Sequence, residues 1–428
     1  MAGGPLWLYR ILVAGLLPVA IPVLKISDRL AGKRRPAFRD RLARDLPDLP
    51  RGGLWLHGVS VGEVEIARRL VREISSLAPA TPMTVTATTA TGLDLARRGL
   101  PDEVPVVPCP LDLPGALGRF FDAARPRALV VVETELWPEM LHQAGSRAVP
   151  VAVVNGRLSD ASFRRYRRVR PLLGPLLDPL SLVLARSAAD AERFAALGVD
   201  AGSIRVAGNI KYDLEPDPEP LPWAADVKGA VGGRPVIAAG STMDGEEEVV
   251  LELAARCAAA DRPIFLILAP RHPERFELVA KLVRERGFVL GRRSSDASPR
   301  PGSDVFLLDT MGELARAYRS ADLAFIGGSL APTGGHNPLE PAVWGVPVLS
   351  GPHVHNFTEV YDEMTAAGAA VIVEDVDALT KAVAHWLDNP RAAGVAGAAG
   401  RAVVEANRGA TARTAAALLE LVAGAARS

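Results

Sequence analysis

Cysteine is nearly missing from this chain: Cys109 and Cys257 are the only two, far apart in sequence. That spacing excludes a disulfide framework and a cysteine-built zinc site. It fits a reducing compartment. Net charge is missing as well, with 49 basic residues against 49 acidic ones. Nucleic-acid-binding proteins usually carry a basic surplus, so no such partner is expected. Aromatic residues make up only 5% of the chain. No short-period repeat is visible, and no cluster of residues has metal-ligand spacing, so no metal is expected. Disorder is excluded by a composition that is 49% hydrophobic and 23% charged. The length, 428 residues, points to two or three domains.

One long apolar run is present. Leu6 to Leu24 is nearly all apolar, broken by Arg10, Pro18 and Pro22. It approaches the roughly 20 residues that a membrane span needs. Lys25 to Arg44 follows and is strongly basic, as expected where a chain meets anionic lipid on the cytoplasmic side. Three readings compete: a cleaved signal peptide, a packed core helix, and a membrane anchor or interfacial helix. The charge after the run, and the lack of a clear cleavage site, weigh against the first. The anchor is the reading the basic flank favours. The two prolines leave open whether it spans the membrane or lies on it.

From residue 50 onward short apolar runs alternate with longer amphipathic stretches. Strands are expected at Leu54–Ser60, Met83–Thr89, Val104–Cys109, Ala128–Glu133, Val149–Asn155, Leu182–Ala185 and Ile204–Ala207. Glu63–Leu77 has apolar residues at helical spacing. Leu214–Pro235, with five prolines, reads as a linker. The alternation then restarts at Val236–Ser241, Ile264–Ala269, Val305–Leu308, Leu323–Gly327, Val346–Leu349 and Ala370–Val373. Arg292–Ser303 reads as a surface loop and Pro390–Ser428 as helical. Near-continuous apolar strands followed by helices indicate parallel sheets covered on both faces. Two such halves predict an α/β protein of two doubly wound Rossmann-like domains facing a cleft, with ligands at the carboxyl ends of the strands. The expected boundaries are 1–24 for the anchor, 25–213 for the first domain, 214–235 for the linker and 236–428 for the second. The last helix has the option of packing back on the first domain.

Several strand ends carry chemistry. His57–Glu63 (HGVSVGE) turns from strand to helix, and Ser60 and Glu63 have the spacing of a capping box. Glu63 is therefore either a cap or a general base. Glu133 and Glu135 end a very apolar strand in ETELWP, where they either face solvent or mark a site. Lys211, in GNIKYD, ends the first half and is a surface lysine or an anion holder. In AGSTMDGEEE the hydroxyls and N–H groups are placed to receive an anion, while the glutamates read mainly as stabilisers of a helix start. Pro270 and Arg271 follow a buried strand, and Arg271 is either an arginine paired on the surface or a bidentate phosphate holder. Asp309–Leu314 (DTMGEL) and Gly334–Pro341 (GGHNPLEP) form the most specific pair. Asn337 is a natural N-cap, Pro338 a natural first helical residue, and N–H groups there suit a phosphate. Glu340 completes the cap or accepts from ribose hydroxyls.

In this order HGVSVGE, ETELWP, NGRLSD, GNIKYD, AGST with GEEE, APRHPERF, DTMGEL, GGHNPLEP and GVPVLSGP resemble the Kdo (3-deoxy-D-manno-octulosonic acid) transferases of lipopolysaccharide assembly. The motifs span nearly the whole chain. GGHNPLEP is shared loosely with other two-Rossmann-domain glycosyltransferases, whereas HGVSVGE together with ETELWP is far more specific. The resemblance implies the GT-B fold and a glycosyltransferase at the cytoplasmic face of the inner membrane. CMP-Kdo is the implied donor and a lipid A precursor the implied acceptor, with no cofactor and no metal. It implies Glu63 as the base, with Glu133 and Lys211 as a transition-state-stabilising pair. CMP is implied to bind at Pro270 and Arg271, at Met311, Gly312 and Glu313, and at Asn337, Pro338, Leu339 and Glu340. Gly156 and Met243-Asp244 depart from the family's usual Ala and His-Glu, away from all these positions. The alternatives are another GT-B nucleotide-sugar transferase, a UDP-sugar epimerase, or a membrane-tethered scaffold with a degenerate site. The complete set Glu63, Glu133, Lys211 and Arg271 argues against the last.

Overall fold

The structure is a computed structural model that describes residues 6–7, 9–13, 15–16, 36–214, 219–296 and 298–425. The chain divides into two compact units, Met1–Asp213 with Arg408–Ser428, and Leu214–Asn407.

The first unit holds a seven-stranded sheet: β1 Leu54–Gly58, β2 Met83–Ala87, β3 Val106–Pro108, β4 Ala128–Val132, β5 Val151–Gly156, β6 Leu180–Ala185 and β7 Ile204–Val206. Its order is β3-β2-β1-β4-β5-β6-β7, and all pairs are parallel. Every residue of β1, β2 and β4 is buried. Successive side chains go to opposite faces of a strand. Leu54 and Leu56 accordingly enter one core with Val64, Leu70 and Ile74, while Trp55 enters the other with Phe120, Phe121 and Met140. The helix Val61–Leu77 covers the first face and packs on the C-terminal helix Ala410–Ala425, whose Ala415 and Leu418 are fully buried there. The chain therefore returns to the first unit at its end. Asp213 holds the return, accepting from Gly409 N–H at 2.6 Å and from Thr411 N–H.

The second unit repeats the plan with β8 Val236–Thr242, β9 Phe265–Pro270, β10 Leu290–Arg292, β11 Val305–Leu307, β12 Leu323–Ile326, β13 Val348–Ser350 and β14 Ala370–Ile372. The order is β10-β11-β9-β8-β12-β13-β14, again all parallel. β10 falls at the junction with the expected surface loop. It is three residues at the sheet edge, Leu-Gly-Arg, too short for a periodic signal. The expected linker also contains structure: Pro222–Ala230 is a helix, and its Trp223 packs on Phe306. Proline at the helix start costs no hydrogen bond there, so this proline opens a helix.

Described residues between 6 and 16 are helical. Tyr9 donates to Asp112 at 2.6 Å and Arg10 pairs with the buried Glu139 at 2.7 Å, while Trp7, Ile11, Leu12 and Leu16 are exposed. The apolar residues beyond Leu16 and the basic residues from Lys25 to Arg35 lie outside the described residues. Among the described residues no helix is long and apolar enough to cross a membrane.

Candidate active site

In an open parallel sheet, the crevice for a ligand lies where the strand order reverses. In the first unit that point is between β1 and β4. The segment after β1 carries Glu63, and the segment after β4 carries Glu133 and Glu135. Glu63 is the third residue of the helix Val61–Leu77, with Ser60 as its N-cap. Its carboxylate accepts from Ser60 N–H at 3.3 Å, from Ser60 Oγ at 3.1 Å and from Val59 N–H. The capping box therefore forms. Gly58 permits it, since a Cβ there would lie 3.1 Å from the Glu63 backbone and Cβ.

The cap and a chemical role are compatible, because Glu63 is only 9% exposed. Burial pushes its carboxyl up to about 7, against the hydrogen bond from Val59, and the charges of Glu135 and Glu133 add to the rise. A carboxyl poised near neutrality is suited to proton transfer. Its neighbour His57 is not a second titrating group. Burial lowers it to about 3, and its Nδ1 lies 3.0 Å from Thr86 Oγ1.

Glu133 has φ +60, a left-handed conformation uncommon for a residue with a side chain. Such backbone is retained mainly at functional positions, where it aims a side chain. Lys211 Nζ lies 3.7 Å from Glu133 Oε1, and the two side chains are only 20% and 21% exposed. Lys211 sits in the one-turn helix Ile210–Tyr212, capped by Asn209, whose Oδ1 accepts from Lys211 N–H at 3.1 Å. Arg69 fixes the same segment by donating to the carbonyls of Ile210 at 3.0 Å and Asp213 at 2.8 Å. Three residues far apart in sequence thus gather at the carboxyl edge of one sheet: Lys211 pairs with Glu133, and the charge of Glu133 acts on Glu63.

In the second unit the strand order reverses between β8 and β12. Glu246 spans that point. It is buried, and its carboxylate accepts from the N–H groups of Gly328 (2.6 Å), Ser329 (2.9 Å), Leu330 (2.8 Å), Ala331 (3.2 Å) and Met243 (2.9 Å). Gly327 allows the approach, as a Cβ there would fall 2.8 Å from Glu246 Oε2. Two of these glutamates do more than stabilise the helix start, the role the sequence suggested. Glu246 organises the glycine-rich loop, and Glu247 turns inward to Thr242 (3.0 Å) and Arg275 (2.9 Å). The backbone donors of residues 328–331 are consumed by the protein's own carboxylate.

The expected nucleotide residues sit on neighbouring strand ends. Pro270 closes β9, and Arg271 N–H bonds to Thr242 O at 2.9 Å while its side chain is exposed. No ion pair engages Arg271 among the described residues. Met311 is 63% exposed beside Gly312 at φ +90. Glu313 is held by Arg293 at 3.0 Å, and Asp309 by Arg292 and Ser294, both at 2.7 Å. The segment read as a surface loop therefore braces the DTMGEL turn. Asn337 Oδ1 accepts from Leu339 N–H at 3.1 Å, and Pro338 has φ −77. The helix that follows, Leu339–Ala342, is a single turn starting one residue later than expected. Its Glu340 lies near Tyr318. Burial lowers His336 to about 4, and the charges of Arg271 and His272 add to the effect. Among the described residues no group of three or more His, Cys, Asp or Glu is placed to hold a metal ion.

Residues 29–214 match the family model described as 3-deoxy-D-manno-octulosonic-acid transferase (kdotransferase). The 3-deoxy-D-manno-octulosonic acid transferase of Haemophilus influenzae is 35% identical over 421 residues, covering 95% of this chain and 97% of that one. The chain belongs to the Kdo transferase family. The Bordetella pertussis member is 34% identical, with the same coverage of both chains. A glycosyltransferase of Rickettsia africae superposes with a TM-score of 0.54 at 11% identity, covering 88% of this chain and 99% of that one. Anabaena HepE, solved with UDP-glucose, gives 0.52 at 13% identity, covering 86% and 99%. These two likenesses concern the fold, which is GT-B. As a Kdo transferase family enzyme, the chain combines a first unit bearing a raised carboxyl and an ion pair with a second unit bearing an exposed arginine and a braced glycine turn.

Proposed function

We propose that this enzyme transfers Kdo from CMP-Kdo to a hydroxyl of a lipid A precursor, at the cytoplasmic face of the inner membrane. The observation that supports this most is the carboxyl of Glu63, raised to about 7 beside the Glu133–Lys211 pair. The acceptor hydroxyl attacks the anomeric carbon of Kdo, and Glu63 takes its proton. The bond from that carbon to the CMP phosphate oxygen breaks, and CMP leaves with the electron pair. Lys211, oriented by Glu133, stabilises the negative charge that develops, and Arg271 holds the phosphate. Met311, Gly312, Glu313, Pro270 and Asn337–Glu340 bind the rest of CMP. The leaving group is already an anion, so this route needs no metal.

The acceptor is an acylated lipid, and the exposed Trp7, Ile11, Leu12 and Leu16 supply an apolar surface for its membrane. Removing residues 1–24 is expected to lower the fraction that sediments with vesicles; unchanged partitioning would reject this attachment.

The direct test is incubation with CMP-Kdo and a tetraacylated lipid A precursor, followed by mass spectrometry of the lipid. A gain of one or more Kdo units is expected. No gain, with CMP still bound, would reject the acceptor or the sugar. Arg271→Ala is expected to weaken CMP binding about 10–100-fold in calorimetry, the range for a hydrogen bond to a charged group. Stronger binding of UDP than CMP by the unaltered protein would instead favour a UDP-sugar enzyme.

A further inference from the structure

We infer that Asn155 is a positioning residue that sets Lys211 against Glu133. The inference rests on the role given to that pair above. Asn155 stands at the end of β5, between the strand that leads to Glu133 and those that lead to Lys211. It is 1% exposed and has φ +52, the second left-handed side-chain-bearing residue at this edge after Glu133. Asparagine tolerates that conformation better than most residues. Oδ1 of Asn155 accepts from Ile210 N–H at 3.0 Å. The preceding carbonyl, Val154 O, accepts from Glu133 N–H at 2.9 Å. One dipeptide thus bonds the backbone of Glu133 on one side and the residue next to Lys211 on the other.

The identity of the side chain argues for a role beyond packing. Nδ2 of Asn155 is buried and has no hydrogen-bond partner among the described residues. A buried unpaired donor is costly to a fold. An apolar residue would remove that cost but lose the bond to Ile210. An aspartate would keep the acceptor but add a buried negative charge one residue from the carbonyl that Glu133 bonds. The amide offers a neutral acceptor on a side chain that tolerates this left-handed position. Lys211 reaches Glu133 across 3.7 Å from a one-turn segment, so the position of its ammonium follows the anchoring of that segment, to which Asn155 contributes the bond at Ile210.

The test compares Asn155→Gly, Lys211→Ala, Glu133→Gln and the double variant Asn155→Gly/Lys211→Ala in full-length protein. Glycine adopts φ +52 without strain, so a loss reports the missing side chain. Asn155→Gly is expected to lower kcat about 100-fold, the order of effect of a misplaced catalytic group, with the KM for CMP-Kdo little changed. In the Lys211→Ala background the same substitution is expected to change residual turnover by less than about threefold, because the lysine it positions is gone. Retained activity in Asn155→Gly, or an equal loss in both backgrounds, overturns the inference. If Lys211→Ala and Glu133→Gln themselves turn over normally, the reading of the pair fails first. Should the glycine variant not fold, Asn155→Ser carries the same comparison, read as the difference between the two backgrounds so that strain at φ +52 cancels.

Discussion

Glu63→Gln is expected to lower Kdo transfer about 10²–10⁴-fold, the usual worth of a general base, while the protein stays folded. Glutamine keeps the length of the side chain and one oxygen to accept from the helix start. It loses only the capacity to take a proton. The pH profile gives a second readout. A base with its carboxyl near 7 is active when ionised, so kcat/KM of the unaltered enzyme is expected to rise about tenfold per pH unit below 7 and level off above. The residual activity of Glu63→Gln should lack that rise. Stability follows the same group with a definite sign. The folded carboxyl titrates near 7 and an unfolded one near 4.5, so folding favours its protonated form. That contribution is complete below 4.5 and is lost as pH rises through 7. Removing the carboxyl should therefore raise stability at pH 8 relative to pH 5, by at most about 3 kcal/mol before solvent screening. Near-normal turnover in Glu63→Gln, or a flat pH profile in the unaltered enzyme, would reject Glu63 as the base.

The other large effect is expected at Glu246, in the second unit. Glu246→Ala removes the acceptor for five backbone N–H groups at once. Each donor left dry costs about 1–3 kcal/mol. Water can enter part of the space, so a net loss of about 3 kcal/mol is the expected scale. In a unit of this size that lowers Tm by about 6–12 °C. Glu246→Gln should recover only part of the loss, since one oxygen still accepts. Its amide would turn a donor toward N–H groups that themselves need an acceptor. The loop that Glu246 holds leads into Asn337–Glu340, so CMP binding should fall in both variants. Thermal scans with and without CMP measure both effects. An unchanged Tm in Glu246→Ala would show that residues 328–331 hold their shape without the carboxylate.

These two residues mark where the sequence was legible and where it was not. Strands such as Ala128–Val132 are buried on both faces, so their apolar runs stand out. The strand–helix junction at Glu63 is likewise visible, because a capping box has a spacing of its own. Glu246 is hidden by its neighbours: three consecutive glutamates at a helix start have a sufficient local explanation, and a partner 82 residues away leaves no periodic trace. The left-handed turns at Glu133 and Asn155 are hidden for a different reason. Glycine advertises positive φ, whereas glutamate adopts it only when surrounding structure enforces it. Arg292 and Arg293 resemble solvent-facing charges until Asp309 and Glu313 are placed beside them. The ion pair of Lys211 with Glu133 depends on sheet order, which no local spacing encodes.

The return of the chain to its first unit has a consequence for synthesis. The ribosome delivers residues in order, and domains generally fold as units as they emerge. The second unit is complete once Asn407 has emerged. The first unit, though begun earlier, waits for Ala410–Ala425 to supply Ala415 and Leu418 to its core and for Gly409 and Thr411 to reach Asp213. The half made first is thus finished last. Until the final helix arrives, the helix Val61–Leu77 lacks the partner that closes its core, and the segment carrying Lys211 lacks the clamp two residues beyond it. A nascent chain stalled short of residue 410 would hold a completed second unit and an uncovered core in the first.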